Sequence, residues 1–223
     1  RTVNLVEIAQ EIVQRAVEEA LENGSVIREP IDGEPWLYLA ALHRAETGLA
    51  KSVQRLASHP GHPLPEINVP AAIDWVEKRL DIALAAAQKE AIRQVCEQKL
   101  LIITGGPGVG KTTLVRSILE IFAAKGLRCV LTAPTGRAAK RLSETTGQTA
   151  KTVHRLLEFD PATNDFRRNQ SHPLSGDLFV MDETSMVDAM LAHQFFRAVP
   201  SDACVVLVGD VDQLPSVGPG SVL

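Results

Sequence analysis

Gly105-Gly106-Pro107-Gly108-Val109-Gly110-Lys111-Thr112 has the residue types that phosphate chemistry needs, in the order it needs them. The pattern is G-x-x-x-x-G-K-[ST]. Glycines let a loop wrap an anion with its N–H groups pointing inward. A helix starting at the lysine adds its positive end. The spacing predicts that Gly106, Pro107, Gly108, Val109, Gly110, Lys111, Thr112 and Thr113 surround the phosphates of a nucleotide such as ATP. The Lys111 ammonium is expected on the β- and γ-phosphates, and the Thr112 hydroxyl on Mg²⁺. A magnesium site needs a second, acidic element. Leu178-Phe179-Val180-Met181 runs straight into Asp182-Glu183. The apolar run reads as a buried strand, which leaves both carboxylates at its C-terminal end, the edge where open α/β sheets bind ligands. Asp182 is expected to hold Mg²⁺ through water, and Glu183 to orient and deprotonate an attacking water. Adjacent carboxylates of this kind point to hydrolysis rather than phosphoryl transfer to a small molecule.

These groups need strands to carry them. Residues 100–104, 129–132, 178–181 and 203–208 are continuous apolar runs, as expected of strands buried on both faces of a parallel sheet. Helical stretches at about 111–125, 136–145 and 186–198 separate them. The alternation predicts an α/β domain with helices on both faces of the sheet. Ahead of it, residues 5–23 read as a helix with Leu5, Ile8, Ala9, Ile12, Ala16 and Ala20 near one face and Gly24 as its stop. Asp32-Gly33 predicts a hairpin turn between residues 25–28 and 35–39. A second helix is expected over about 39–58. Helix, hairpin, helix is the pattern of part of a winged-helix unit, and a small packing module fits it equally well. Residues 59–70 hold four prolines and read as a linker. His59 and His62 inside it lack the third and fourth ligands a metal site demands. The expected organisation is therefore a module at 1–58, a linker at 59–70 and the α/β domain at 71–223.

Composition narrows the partners. The chain has 223 residues, 45% hydrophobic and 22% charged, with a net charge of −4. Such a chain can hold nucleic acid only through a local groove. Residues 128–172 contain eight Lys or Arg against four acids, a local balance of +4. Clustered cations of this kind carry phosphate binding. Cys96, Cys129 and Cys204 lie far apart with no C-x-x-C spacing, which argues against zinc or a disulfide framework and fits a reducing, cytoplasmic setting. The apolar runs are too short to span a bilayer, and no secretion signal opens the chain. Its first residue is Arg1, which leads us to expect a longer parent protein.

Four further segments narrow the reading. Thr132-Ala133-Pro134-Thr135-Gly136-Arg137-Ala138-Ala139 follows the second expected strand. Thr152-Val153-His154-Arg155-Leu156-Leu157, Asp182-Glu183-Thr184-Ser185-Met186 and Gly209-Asp210-Val211-Asp212-Gln213-Leu214-Pro215 come after it. In order and spacing they resemble motifs Ia, Ib, II and III of superfamily 1 helicases, in wording closest to the RecD-like branch. The resemblance covers about residues 80–223 well and the N-terminal piece more weakly. It implies a RecA-like ATP-binding motor domain of an ATP-dependent DNA helicase that moves 5′ to 3′ on single-stranded DNA in recombination or repair. It implies that Gln88 reads adenine and that Gln213 senses the γ-phosphate. It also implies that Pro134, Thr135, Gly136 and Arg137 contact the DNA backbone, with Thr152 and His154 as further strand contacts. Single-stranded DNA, duplex ends and other subunits of a recombination complex are the implied partners.

Residues 157–159 and 166–168 flank a turn-rich centre and predict a hairpin at about 156–171. It falls where RecD-like helicases carry a strand-separating pin. Phe159 and Phe166 are expected to fix the hairpin to the domain rather than to stack on a base. Motifs IV to VI do not occur in the chain, so slow hydrolysis is expected of it alone, since losing an arginine finger commonly costs about 10³ to 10⁵ in rate. Two other readings stay open: another P-loop ATPase, such as an AAA+ machine, and a nucleotide-binding interaction module without catalysis.

Overall fold

The structure is a computed structural model, and it describes residues 9–213, 215–220 and 222–223. Leu5 and Ile8 of the expected first helix, and Leu214, lie outside the described residues. The chain forms two compact units, Arg1–Gly48 and Leu49–Leu223. In the first, helix α1 covers Gln10–Glu22, and strands β1 (Val26–Ile31) and β2 (Glu34–Leu39) pair antiparallel. Ile31 faces Glu34 across a two-residue turn in which Asp32 and Gly33 have φ of 51° and 83°. Those angles belong to the tight hairpin turn that Asp-Gly favours. Helix α2 (Ala40–Ser58) starts in the first unit and ends in the second.

The second unit holds helices α3 (Val69–Leu80), α4 (Ala86–Glu97), α5 (Lys111–Ala124), α6 (Gly136–Thr146), α7 (Val153–Leu156) and α8 (Ala189–Ala198). Its sheet contains β3 (Leu100–Thr104), β4 (Cys129–Ala133), β5 (Ala150–Thr152), β8 (Leu178–Met181) and β9 (Cys204–Gly209). All are parallel, in the order β3-β9-β8-β4-β5. A short antiparallel hairpin, β6 (Phe159–Asp160) and β7 (Asp165–Phe166), follows α7.

Continuous apolar runs make sense here because alternate residues feed two different cores. On β8 and β9, Leu178, Val180, Cys204, Val206 and Val208 join the core built from α3, α4, α5 and α6. Phe179, Met181, Val205 and Leu207 join the core that holds Leu56 of α2, Val153 of α7 and Phe195 of α8. Edge strand β3 is covered less completely, and Ile102 is 49% exposed. Two local details depart from the sequence pattern. Strand β5 was not expected, because it spans only Ala150–Thr152 and shows no periodicity. The last helix starts at Ala189, three residues later than expected. Thr184–Met186 forms a 3₁₀ turn, and Asp188 then caps the helix by accepting from the Leu191 amide at 2.8 Å.

Arg55 ties the end of α2 to the end of α8. Its guanidinium donates to the Phe196 and Val199 carbonyls at 2.9 and 2.8 Å and to Ser201 Oγ at 2.6 Å. Those carbonyls form the negative end of α8, where a cation is favoured. Burial pulls the guanidinium below its ordinary pKa, which Arg tolerates without losing its charge. Arg55→Ala is expected to cost about 2–4 kcal/mol, since each bond to a charged donor is worth about 1.5–3 kcal/mol. A urea midpoint measures it, and Arg55→Lys should recover only part of the loss.

The proline-rich stretch between α2 and α3 packs rather than dangles. Leu64 joins the core, and the His62 ring stands edge-on to Phe122 at 6.2 Å. His62 Nδ1 accepts from the Leu64 amide at 3.1 Å. Burial lowers the His62 pKa, against weaker opposition from backbone groups of Gln98, Leu64 and Val95. The folded ring is thus neutral where the unfolded chain, with a pKa near about 6.5, takes up a proton. Stability is full above that pH and declines as pH falls below it, by at most about 1.4 kcal/mol per unit for this one group. Melting temperatures at pH 7 and pH 5 should fall less in His62→Phe than in the parent chain. An equal fall would assign the acid sensitivity to other groups.

Candidate functional site

The sheet register sets the site. Thr104 pairs with Gly209, Met181 with both Leu207 and Thr132, and Ala133 with Thr152. All five strands therefore end along one edge. The phosphate loop leaves β3, Asp210 leaves β9, Asp182 leaves β8, Pro134 leaves β4, and α7 starts as β5 ends.

Residues 105–110 form the loop, with Gly108 and Gly110 in the left-handed region at φ 79° and 82°. The φ of Gly110 favours glycine there, and a Cβ would also displace the Gln88 amide nitrogen, the end of a flexible side chain. Gln88 braces the loop. Its Nε2 donates to the carbonyls of Gly110 at 3.2 Å and Val109 at 3.4 Å, and its Oε1 accepts from the Ala85 amide at 2.9 Å. Lys111 Nζ donates to the carbonyls of Gly105 and, at 2.9 Å, Gly106. Thr112 and Thr113 follow in the first turn of α5, half-buried. A cleft of about 390 Å³ opens beside the loop, lined by Ala87, Gln88, Ala91, Ile102, Gly110 and Lys111 among others.

Across the edge, Asp182 accepts from the Glu183 amide at 2.9 Å. Burial raises its pKa, while that amide and the positive charges of Arg141 and Lys111 pull the other way. Among the described residues Asp182 has no ion-pair partner. A half-buried carboxylate held against its desolvation suits a hard cation, and the Thr112 hydroxyl is the same class of donor. Glu183 sits at φ 53°, outside the usual range for its type, and its Oε1 lies 3.7 Å from Arg141 Nη1.

One residue without an assigned role in the sequence reading stands out. Asp210 is 2% exposed and organises the turn after β9. Its Oδ1 accepts from the Asp212 amide at 3.0 Å, and its Oδ2 from Gln213 Nε2 at 3.3 Å. Gln213 is therefore held within its own turn. An acid directly after a fully apolar strand was the available signal, the same one that marked Asp182.

The expected strand contacts fall at two neighbouring helix starts. Thr135 caps α6 by accepting from the Ala138 amide, and Thr152 caps α7 by accepting from the Arg155 amide, both at 3.2 Å. Pro134 precedes the first cap, and Gly136 and Arg137 are exposed in the first turn of α6. His154 is exposed, and its ring lies 5.7 Å from Phe159 and 5.6 Å from Phe166. These two phenylalanines pair across the hairpin at 5.1 Å, so the hairpin rests on His154. The positive balance of this region is partly neutralised. Arg167 pairs with Asp160, Arg168 with Glu158, Lys140 with Glu144 and Arg141 with Glu183. Arg128, Arg137, Lys151 and Arg155 have no ion pair among the described residues, and Arg128 donates instead to Ser175 Oγ.

The sequence is similar to those of known proteins. A family model described as an AAA domain matches residues 88–219. The "ATP-dependent RecD2 DNA helicase" of Deinococcus radiodurans is 40% identical over 189 residues, which cover 84% of this chain and 26% of that protein. The "RecBCD enzyme subunit RecD" of Mycolicibacterium smegmatis is 36% identical over 212 residues, covering 84% of this chain and 36% of the relative. The chain thus spans about a quarter to a third of the length of these curated relatives. A crystal structure of Pif1 helicase from Candida albicans is 26% identical, with a TM-score of 0.47 over 61% of this chain and 34% of that one. The family match takes in Gln88, the phosphate loop, the carboxylate pair and the Asp210 turn, and the chain belongs to the AAA-domain family with a RecD-like sequence.

Proposed function

We propose that this chain is the ATP-binding motor domain of a DNA helicase. In its full-length protein the domain couples ATP hydrolysis to 5′→3′ translocation on single-stranded DNA and to duplex unwinding in recombination and repair. One observation carries the reading: the phosphate loop, the carboxylate pair and two capped helix starts share one sheet edge. That juxtaposition supports a nucleotide and a strand held on neighbouring loops of one sheet.

The phosphates of ATP lie against residues 106–113, where the Lys111 ammonium exchanges loop carbonyls for β- and γ-oxygens. Thr112 and Asp182 hold magnesium, which supplies charge neutralisation on the phosphates. Glu183 takes the proton of the attacking water. Gln88 lines the cleft beside the loop and reads the base there. Gln213, set by Asp210, responds to the γ-phosphate. Pro134, Thr135, Gly136 and Arg137, with Thr152 and His154, hold the strand backbone, and the β6–β7 hairpin is the pin. The names of the relatives support this reading, and a RecB- or RecC-type subunit is a further partner class. No helix among the described residues is long and apolar enough to cross a membrane. Desolvation pushes the half-buried thiols of Cys96 and Cys129 and the buried thiol of Cys204 up to about 11, 12 and 12, which keeps them protonated and suits a reducing cytoplasm. The pieces ahead of the motor, 1–58 and 59–70, act as an appended module and its connection.

A fluorescent ATP analogue with Mg²⁺ tests the reading, with and without a single-stranded oligonucleotide, across a salt series. Saturable nucleotide binding is expected, together with oligonucleotide binding that weakens with salt. Arg137, Lys151 and Arg155, at or beside the two capped helix starts, predict a log–log slope of about −2, at roughly −0.7 per phosphate contact. Nucleotide binding with no response to the oligonucleotide would favour a P-loop ATPase of another kind. Failure of nucleotide binding would refute the central assignment.

A further inference from the structure

Arg141 links the two halves of this edge. It sits one turn beyond Arg137 on α6, so the two guanidinium groups share a face. Arg137 stands at the helix start assigned to the strand backbone. Arg141 instead reaches across to Glu183, with 3.7 Å between Nη1 and Oε1. The Arg141 side chain is 72% exposed and that of Glu183 22%, so the pair lies at the mouth of the site. An exposed pair at this distance is weak and readily exchanged. A strand phosphate is a better partner, because a guanidinium fork meets its oxygens in pairs.

We propose that Arg141 couples strand binding to the water-activating carboxylate by exchanging between Glu183 and a DNA phosphate. Without a strand, Arg141 holds Glu183 to one side. With a strand bound, it turns to the phosphate and Glu183 is free to take its place beside the attacking water. The inference rests on the strand assignment made above.

Such a coupling is reciprocal: what releases Arg141 from Glu183 must tighten its grip on the strand. Removing the Glu183 charge should therefore strengthen strand binding with no nucleotide present. The test is the affinity of this chain for a fluorescent single-stranded oligonucleotide in Glu183→Gln, Arg141→Gln and the double variant. Glu183→Gln is expected to bind about three- to fivefold more tightly, and Arg141→Gln about threefold more weakly. In the Arg141→Gln background the Glu183 substitution should have no effect. An unchanged affinity in Glu183→Gln overturns the coupling. A gain that persists without Arg141 also overturns it, because the gain is then only the loss of a nearby negative charge. Absence of oligonucleotide binding in every variant, the parent included, would remove the strand assignment itself and the coupling with it. A second readout is turnover in the full-length protein: Arg141→Gln should raise kcat without DNA several-fold, leave KM for ATP unchanged and shrink the stimulation by DNA.

Discussion

Replacing Lys111 with alanine is expected to abolish nucleotide binding and leave the fold standing. The ammonium is the one full positive charge placed within the loop's own hydrogen bonds, on the carbonyls of Gly105 and Gly106. Charge-assisted bonds to phosphate are worth about 1.5–3 kcal/mol each, so two of them amount to about 3–6 kcal/mol. That corresponds to a roughly 10²- to 10⁴-fold loss of affinity at about 1.4 kcal/mol per decade. The fold should not notice. Lys111 opens α5, and alanine is the best helix former there. The α5 residues that build the core are Leu114, Val115, Ile118, Leu119, Ile121 and Phe122, none of them at the helix start. Lys111→Arg keeps the charge but brings a planar fork where a compact ammonium fits, and it should fail nearly as badly. A binding titration with an ATP analogue measures the loss, and a thermal melt checks the fold. Affinity within about threefold of the parent would remove the loop from the phosphate site.

Much of this site was legible because its chemistry is local in sequence. A loop whose glycines, lysine and threonine are contiguous declares itself, and so does an acidic pair directly after four apolar residues. The parallel sheet was legible for the same reason, because two-sided burial leaves no polar position in Leu178–Met181 or in most of Cys204–Gly209. What depends on contact between distant segments was not legible. Nothing in the sequence around Gln88 says that its amide holds Gly110, 22 residues on. Arg141 and Glu183 are 42 positions apart, and the charge count of 128–172 could not tell a free cation from a paired one. The proline-rich stretch read as a linker because prolines exclude helix and strand, yet prolines do not stop Leu64 and His62 from packing. Strand β5 escaped because three residues are too few to show a period.

The second large effect is expected at Glu183. Glu183→Gln should cut ATP turnover by about 10²- to 10⁴-fold, the usual range for losing a general base. Nucleotide affinity should change by less than about threefold, because the phosphates are held from the other side of the edge. The backbone argues for a functional residue at this position. A left-handed glutamate costs roughly 1–2 kcal/mol relative to ordinary backbone, and glycine or asparagine would avoid much of that strain. The conformation is maintained by the surrounding bonds: the Glu183 amide donates to Asp182 Oδ1, and its carbonyl accepts from the Met186 amide at 3.1 Å. Strain of this kind, at a position that touches both Asp182, the proposed metal ligand, and Arg141, points to a role for where the side chain is aimed. Glutamine keeps the shape, the backbone bonds and the turn, so any rate lost is chemical rather than structural. Glycine at the same position should hold the melting temperature or raise it slightly while turnover is lost as completely, separating the cost of the fold from the needs of the reaction. Single-turnover hydrolysis in the full-length protein, with bound nucleotide measured in parallel, is the decisive experiment. If Glu183→Gln turned over ATP within a factor of ten of the parent, the proton would be leaving through another group, and Asp182 would be the first place to look.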